Sequence, residues 1–267
     1  TGSMVIGVLS LASVVSADSD HQIEQVSVNM PDVTAYYRST SQEQTPSAYL
    51  EGAELTLTED SVFAQSGEAV EYYVLLDISA SIRSTRFEDI KASLSNFVQS
   101  IREQDRIVLM TFGDQTAVRL DGNQSREDAQ NVISQLANKD QNTMFFDAVS
   151  NVTDMINNAD SQSQMRRIVV IISDGKDCSD NTRNMDNVEK DLMANGIPVY
   201  SVAVENNEGD TKEAISDYQG KFSALARNTG GLPWTAQSEQ TSVYEALENI
   251  QQSVLSSYRA VFQAATN

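Results

Sequence analysis

The sequence predicts an α/β fold, in which a doubly wound, mostly parallel sheet of six strands carries helices on both faces. From Glu68 onward, apolar runs typical of buried strands alternate with segments whose apolar residues recur at helical spacing. Polar residues follow some of these runs, at the sheet edge where parallel α/β sheets bind ligands. The chain has 267 residues, 40% of them hydrophobic and 21% charged, as expected of a globular protein with a sizeable core.

The first residues have the pattern of a secretory signal. The apolar run Met4–Ala17 is too short for a transmembrane helix, and it ends in the small residues Val15-Ser16-Ala17 that a signal peptidase favours. The usual basic region before the apolar run is missing, so the alternative is a buried strand or helix of the mature fold. We expect residues 1–17 to be the remnant of a signal peptide and the protein to be secreted or at the cell surface.

Residues 18–66 are expected to form a β-rich accessory segment. Alternating or β-branched runs occur at Gln25–Val28, Val33–Arg38 and Leu55–Thr58, and no helical period is visible. These strands are too few to bury a core alone. The pattern becomes extended again in residues 258–267, which we predict to return to this segment and supply the strand that it lacks.

The α/β domain is expected to span residues 67–257. Its predicted strands are Val70–Ile78, Arg106–Phe112, Thr116–Leu120, Ile168–Ile172, Pro198–Val204 and Leu232–Trp234. The link Gly113-Asp114-Gln115 is so short that it predicts a hairpin and therefore an antiparallel edge strand. Pro233 favours an edge position for the last strand, because proline cannot donate a hydrogen bond to a neighbour.

The intervening segments carry apolar residues at helical spacing. The predicted helices are Phe87–Ile101, Val132–Leu136 behind an N-cap at Ser125, Phe146–Ile156, Met185–Leu192 before Asn195-Gly196, a short helix around Leu225–Thr229, and Val243–Val254. The alternation of strands with helices implies a sheet that is covered on both faces.

Composition excludes several classes of function. With 18 Lys and Arg against 38 Asp and Glu, the formal charge is −20, which argues against binding nucleic acid or an anionic membrane. One cysteine, Cys178, rules out a disulfide within the chain, and one histidine, His21, leaves too few ligands for a Cys/His zinc site. A Ser-His-Asp mechanism would depend on His21, which lies in a polar N-terminal segment far from any strand-end motif. We therefore expect that the protein is not an enzyme.

Oxygen-bearing side chains follow two of the predicted strands. Asp77-Ile78-Ser79-Ala80-Ser81 ends the first strand and Asp174 ends the fourth, and these two strands flank the point where the strand order reverses. The loop before a helix adds Thr143. Two carboxylates and three hydroxyls around one point suit a Mg²⁺-type cation. The alternative is that Ser79 and Ser81 merely cap the helix that follows.

These three elements resemble the von Willebrand factor A (VWA) domain family and its metal-ion-dependent adhesion site. The resemblance covers about Glu68–Ser257 and rests on Asp77-x-Ser79-x-Ser81, on Thr143 within Asn142–Ala148, and on Ser173-Asp174-Gly175. Asn142 stands where glycine is common in the family. The resemblance implies a Rossmann-like fold in which Ser79, Ser81 and Thr143 coordinate a metal ion or its water, with Asp77 and Asp174 supporting it.

The expected cofactor is Mg²⁺, or else Mn²⁺ or Ca²⁺, and the expected partner is a protein that offers an Asp or Glu carboxylate to the ion. The hypothesis is an extracytoplasmic binding module for adhesion or surface assembly, with no membrane span in this chain and with room for further domains beyond Asn267. The alternative is an accessory subunit of an intracellular machine of the metal-chelatase kind. A metal-dependent hydrolase would need a general base that the sequence does not place near the site.

Overall fold

The computed structural model describes residues 5–9, 12–16, 21–40, 45–159, 164–178, 184–205, 209–236 and 242–264. The N-terminal part of the chain forms seven strands: β1 (Val5–Leu9), β2 (Ala12–Ser16), β3 (His21–Asn29), β4 (Asp32–Ser39), β5 (Ser47–Leu50), β6 (Ala53–Glu54) and β7 (Thr56–Val62). They belong to two small four-stranded sheets. The N-terminal segment is therefore rich in β-structure, as predicted.

The segment predicted to be a signal peptide contains β1 and β2. These strands pair antiparallel with each other, and β1 also pairs parallel with β5, which gives a sheet of order β2-β1-β5-β6. In the intact chain this segment thus takes part in a sheet, which is the arrangement of the alternative considered above. Pairing in the intact chain does not test cleavage, so the signal peptide stays a prediction.

The central sheet follows in the chain. Its strands are β8 (Ala69–Asp77), β9 (Arg106–Phe112), β10 (Thr116–Asp121), β11 (Met165–Ser173), β12 (Val199–Val204) and β13 (Pro233–Ala236). They lie in the order β10-β9-β8-β11-β12-β13, and all neighbours are parallel except the hairpin of β9 and β10. The predicted six-stranded sheet is confirmed, with β10 and β13 as its edges.

Among the described residues, six helices cover the sheet: α1 (Ser84–Ser100), α2 (Arg126–Ser134), α3 (Phe145–Asn157), α4 (Met185–Ala194), α5 (Lys212–Asn228) and α6 (Val243–Ser256). Residues of α1, α2 and α6 share one core cluster, and residues of α3, α4 and α5 share the other. Central strands are buried on both faces; in β8, Tyr72 and Val74 face the first cluster while Tyr73 and Leu75 face the second. This double burial is why their sequences are continuous apolar runs.

The helix expected around Leu225–Thr229 is longer than predicted. α5 has 17 residues and begins after Thr211, whose side chain accepts a hydrogen bond from the Ala214 amide. Its buried residues are Phe222, Leu225 and Ala226, all in its second half. The first turns lie at the surface, so no apolar period marked them in the sequence.

The predicted return of the chain end to the accessory segment is confirmed. β14 (Tyr258–Gln263) lies between β4 and β7 and pairs antiparallel with both, in a sheet of order β3-β4-β14-β7. Ala260 and Phe262 of β14 are buried against Val33 and Ala35 of β4. Residues 265–267 of the predicted strand lie outside the described residues. No helix in the described part of the chain is long and apolar enough to cross a membrane.

Candidate functional site

The carboxylate of Asp77 lies at the end of β8 and has no exposed surface. Its Oδ1 accepts a hydrogen bond of 2.9 Å from the Ser79 amide, which turns the chain sharply after the strand. Its Oδ2 accepts a hydrogen bond of 2.7 Å from the Ser173 hydroxyl at the end of β11. The ends of β8 and β11 are therefore tied together at the point where the strand order reverses, as the topology of the fold requires.

A chain of hydrogen bonds joins the other side chains of these two loops. The hydroxyls of Ser79 and Ser81 lie 2.8 Å apart, and the Ser81 hydroxyl donates to Oδ2 of Asp174 at 3.0 Å. Oδ1 of Asp174 accepts from the Lys176 amide at 2.9 Å. All three side chains are buried. Four of the five residues predicted from the sequence thus form one connected group.

Thr143, the fifth predicted residue, is buried and connects through its backbone to the segment that follows β11. Its carbonyl accepts a hydrogen bond of 2.9 Å from the amide of Cys178, which follows β11. A few residues earlier, Asp140 pairs with the β8 loop: its carbonyl accepts from the Ala80 amide at 2.8 Å, and its amide donates to the Ile78 carbonyl at 3.3 Å. The Thr143 loop is therefore held between the other two loops.

The turn between β9 and β10 fixes the Thr143 loop from its other side. The Asp114 amide donates to Oδ2 of Asp140, and Oδ1 of Asp114 accepts from both the backbone and the side-chain nitrogens of Asn142, each at 2.9 Å. The Met144 amide donates to the Gly113 carbonyl at 3.0 Å. Asn142, which departs from the family pattern, is thus anchored by Asp114.

Sequence reasoning missed Gly113, Asp114 and Asp140 as residues that position the site. The only signal at Gly113 and Asp114 was that of a tight hairpin turn. Nothing in the sequence near Asp140 indicated that its backbone pairs with the β8 loop, because that contact joins segments about sixty residues apart. Such positions become visible only when the loops are packed together.

The electrostatics of the site are dominated by two buried carboxylates of the same sign. Burial, reinforced by the negative charge of Asp174, raises the pKa of Asp77 to about 7, although hydrogen bonds from Ser79 and Ser173 oppose the shift. A nearby like charge and loss of water both disfavour the ionised form. A cation bound between the loops would reverse this by stabilising the ionised carboxylates.

The donor set agrees with a hard cation bound through hydroxyl oxygens. Carboxylate and hydroxyl oxygens are the ligand type that Mg²⁺, Mn²⁺ and Ca²⁺ prefer. Within the described residues, no three His, Cys, Asp or Glu side chains come together in a metal-binding arrangement, so an ion here would depend on Ser79, Ser81 and Thr143. Such a site differs from a zinc site closed by Cys and His.

Comparisons with known proteins agree with this fold. The family model of the von Willebrand factor type A domain matches residues 72–230, a range that includes all five predicted site residues. No match was found among curated protein sequences.

Several solved structures are similar. An aerotolerance-related membrane protein from Bacteroides fragilis, crystallised with multiple mutations to serines, has 18% identity and a TM-score of 0.54, covering 69% of this chain and 98% of its own. BatB from Bacteroides thetaiotaomicron has 17% identity and the same TM-score of 0.54 and coverage of 69% and 98%.

A third structure is that of proximal thread matrix protein 1 from the mussel byssus, described as having a zinc-occupied MIDAS motif. It has 14% identity and a TM-score of 0.57, covering 78% of this chain and 50% of its own. At these identities the likeness establishes the fold alone. Together with the family model, which matches more than half of the chain, it shows that this chain belongs to the von Willebrand factor type A domain family.

Proposed function

We propose that this VWA domain is a protein-binding module in which a divalent cation, held at the loops after β8 and β11, captures a carboxylate of a partner protein. The observation that carries the proposal is the hydrogen-bonded group in which buried hydroxyls of Ser79 and Ser81 meet the buried carboxylate of Asp174. We assign Ser79, Ser81 and Thr143 as ligands of the ion or of its water, and Asp77 and Asp174 as the charges that support it.

Mg²⁺ is the proposed ion, with Mn²⁺ or Ca²⁺ as substitutes, because hard oxygen donors make up the whole group. The zinc-occupied motif of the mussel byssus protein supports a divalent ion at this kind of site in a protein of the same fold. Neutral hydroxyls leave most of the ion's charge uncompensated. When bound, the ion would therefore supply a position at which an Asp or Glu side chain of the partner completes the coordination.

We infer that the module binds its partner without transforming it. The single histidine, His21, is buried in β3 of the accessory sheet, whereas the candidate site lies at the ends of β8 and β11. The two site carboxylates are engaged in hydrogen bonds with Ser79, Ser81 and Ser173. This arrangement suits ion binding better than proton transfer. The charge of −20 likewise supports a protein partner and argues against nucleic acid.

We place the module outside the cytoplasm, in adhesion or in the assembly of a surface complex, because the apolar N-terminus has the pattern of an export signal. The alternative, an accessory subunit of an intracellular metal-chelatase-like machine, is favoured by the pairing of β1 with β5, which gives the N-terminal segment a place in the fold. Sequencing the N-terminus of the protein purified from its source decides between them. A mature chain that begins near Asp18 indicates export.

The metal assignment is tested with Asp77→Ala and Ser81→Ala. We expect wild-type protein to bind Mg²⁺ in calorimetry and to gain about 2.7 kcal/mol of stability when Mg²⁺ is at a hundred times its Kd. Both variants should lose this gain, since one removes a supporting charge and the other a ligand hydroxyl. Asp217→Ala, which removes an exposed carboxylate on α5, is the control and should keep it.

Two results would contradict the proposal. Wild-type protein that shows no saturable divalent-ion binding would reject the site itself. Unchanged Mg²⁺ affinity in a folded Asp77→Ala or Ser81→Ala variant would reject the assignment of these residues, and divalent-dependent turnover of a substrate would revive a hydrolytic function.

A further inference from the structure

Two exposed cationic residues flank the contact between the β8 loop and the Thr143 loop, beside the candidate metal site. Arg83 follows the β8 loop directly and its side chain is 45% exposed; Lys139 precedes the Thr143 loop and is also exposed. The Asn138 side chain donates to the Ile82 carbonyl at 2.6 Å, and the Asp140 backbone pairs with the β8 loop. Arg83 and Lys139 are therefore each next in sequence to a residue of this contact. We call these two residues the cationic rim.

The acidic groups around the site are engaged within the protein. Oδ2 of Asp140 and Oδ1 of Asp114 accept backbone hydrogen bonds, and Oδ1 of Asp177 accepts from the Phe146 amide at the start of α3. Hydrogen bonds from backbone amides, and the start of a helix, stabilise a carboxylate charge where it stands. These charges are thus partly compensated from within the loops.

Glu205, at the end of β12, has its own buried partner. Arg86 lies 3.7 Å from Oε1 of Glu205 and 2.9 Å from Asp89, and only 7% of its side chain is exposed. Arg83 lies 4.0 Å from Oε2 of Glu205, at the outer limit of an ion pair. Arg86 therefore holds Glu205 in place, while the Arg83 side chain, although it also approaches Glu205, keeps 45% of its surface exposed.

Lys139 differs from the neighbouring charged residues. Among the described residues the structure gives its ammonium group no hydrogen bond or ion pair, and the side chain is exposed. The chain has only 18 Lys and Arg against 38 Asp and Glu, so two exposed cations that flank one contact stand out against its overall charge. At physiological ionic strength charges more than about 8 Å apart are largely screened, so this local pair governs a group that binds beside it.

We propose that the cationic rim is a second contact point for the partner, and that the partner segment carries a further Asp or Glu close to the one that binds the metal. This inference rests on the proposed function and specifies its ligand: an acidic segment with at least two carboxylates. One carboxylate completes the coordination of the ion, and the second lies between Arg83 and Lys139. Charge complementarity of this kind sets partner choice more than overall affinity.

The test uses synthetic blocked peptides at saturating Mg²⁺ and at about 0.15 M salt. One peptide has a single Asp in a glycine background, and three others carry a second Asp after zero, one or two glycines. Binding is followed by NMR titration of the whole chain. We expect wild-type protein to bind the best two-acid peptide about threefold to tenfold more tightly than the one-acid peptide, as exposed charge pairs typically allow.

The double variant Arg83→Ala/Lys139→Ala should lose this preference. Because the readout is a ratio of two affinities, a general loss of binding cancels. The matched control is Arg106→Ala/Arg227→Ala, which removes two exposed cations from the opposite end of the sheet, at the start of β9 and in the last turn of α5. It should keep the wild-type preference, which separates local contact from a change in net charge.

The inference would be overturned if wild-type protein bound the one-acid and two-acid peptides with equal affinity, or if it bound none of them in a metal-dependent way. In either case, Mg²⁺ binding by the wild-type protein would still support the metal site. A preference that survives in the rim variant, or that disappears equally in the control, would overturn it too. Absence of Mg²⁺ binding by wild-type protein would instead reject the proposed function, and the inference with it.

Discussion

The two ends of the central sheet bury charge in opposite ways. At the carboxyl ends of β8 and β11, two fully buried carboxylates, Asp77 and Asp174, have the same sign and share the space with hydroxyls. At the other end of the sheet, the Arg166 side chain is fully buried, but it meets the opposite charge of Glu24. Both are buried ionic groups, yet one is balanced by the chain itself and the other is not.

At the Arg166 end of the sheet, groups of the protein itself surround and compensate the buried charge. The Arg166 guanidinium lies 4.5 Å from the ring centre of Tyr36, and Nη1 donates to the Val254 carbonyl at 3.2 Å and to the Ser257 hydroxyl at 2.8 Å. Glu24 also pairs with Arg38 at 2.8 Å. These groups come from β3, β4 and the end of α6, so Arg166 joins the accessory sheet to the central sheet.

This difference separates a structural charge from a functional one. A buried charge with partners from several elements holds those elements together, and its hydrogen bonds compensate for the lost water. Two buried charges of one sign raise the energy of the folded chain unless a cation is supplied from outside. The comparison therefore predicts opposite effects when charges are removed at the two ends of the sheet.

The largest effect is expected at the Arg166 end. Arg166→Met keeps much of the volume but removes the fully buried cation that pairs with the buried Glu24, so the free energy of unfolding should fall by about 3–5 kcal/mol. Urea denaturation followed by circular dichroism measures the loss. The control Arg106→Met, at an exposed position of β9, should change stability by less than about 0.5 kcal/mol.

The double variant Arg166→Met/Glu24→Gln sharpens this result. It removes the second charge as well, so its loss should be smaller than the sum of the losses of the two single variants. Strictly additive losses would mean that Arg166 and Glu24 do not stabilise the fold as a pair.

An intermediate effect is expected at the turn that positions the Thr143 loop. A Cβ atom added to Gly113 would lie 2.3 Å from Oδ2 and 2.6 Å from Cβ of Asp140, so Asp140 or the turn itself would have to shift. Gly113→Ala should therefore cost about 1–3 kcal/mol of stability and weaken Mg²⁺ binding, because Asp140 pairs with the β8 loop.

Gly220→Ala is the matched control, since nothing lies within 4 Å of the added Cβ on α5. It should raise stability by about 0.5–1 kcal/mol and leave Mg²⁺ affinity unchanged, because alanine favours a helix over glycine. Thermal unfolding and calorimetry on both variants check the pair. Unaltered Mg²⁺ affinity in Gly113→Ala would show that the turn does not position the site.

The smallest effect, but of opposite sign, is expected at the carboxyl end. Asp174→Asn removes the repulsion on Asp77 while an amide can keep hydrogen bonds with Ser81 and the Lys176 amide. In metal-free buffer the free energy of unfolding should rise by an amount on the order of 1 kcal/mol, because the negative charge of Asp174 disfavours the ionised form of Asp77. Stabilisation by Mg²⁺ should disappear. A loss of metal-free stability comparable to that of Arg166→Met would abolish the contrast between the two ends.

Much of the fold could be predicted because buried parallel strands and amphipathic helices have distinct periods. The runs that became β8, β9, β11 and β12 are apolar on both faces, and the Gly113–Gln115 link indicated the hairpin correctly. The first half of α5 was missed because it packs little apolar surface. Where a segment has no buried stripe, its sequence does not distinguish a helix from a loop.

The residues of the candidate site could be proposed because the ends of buried strands can be recognised in the sequence. Asp77 and Asp174 directly follow apolar runs, and the reversal of strand order brings those ends together. The residues that hold the loops in place, among them Gly113 and Asp140, could not be proposed, because each acts on a partner in another loop. The metal-binding role of the five predicted site residues is a proposal that the variants above test.

Local order along the chain was therefore set by neighbouring residues: the alternation of strand and helix, the hydroxyls after β8, and the acid after β11. The contacts between distant segments depend instead on which surfaces remain to be buried once the elements form. Glu24 and Arg166 are 142 residues apart, and each has a buried partner only because the accessory sheet packs against the end of β11. Arg83 and Lys139 likewise flank one contact only because two loops pair, and no periodicity in the sequence predicts that pairing.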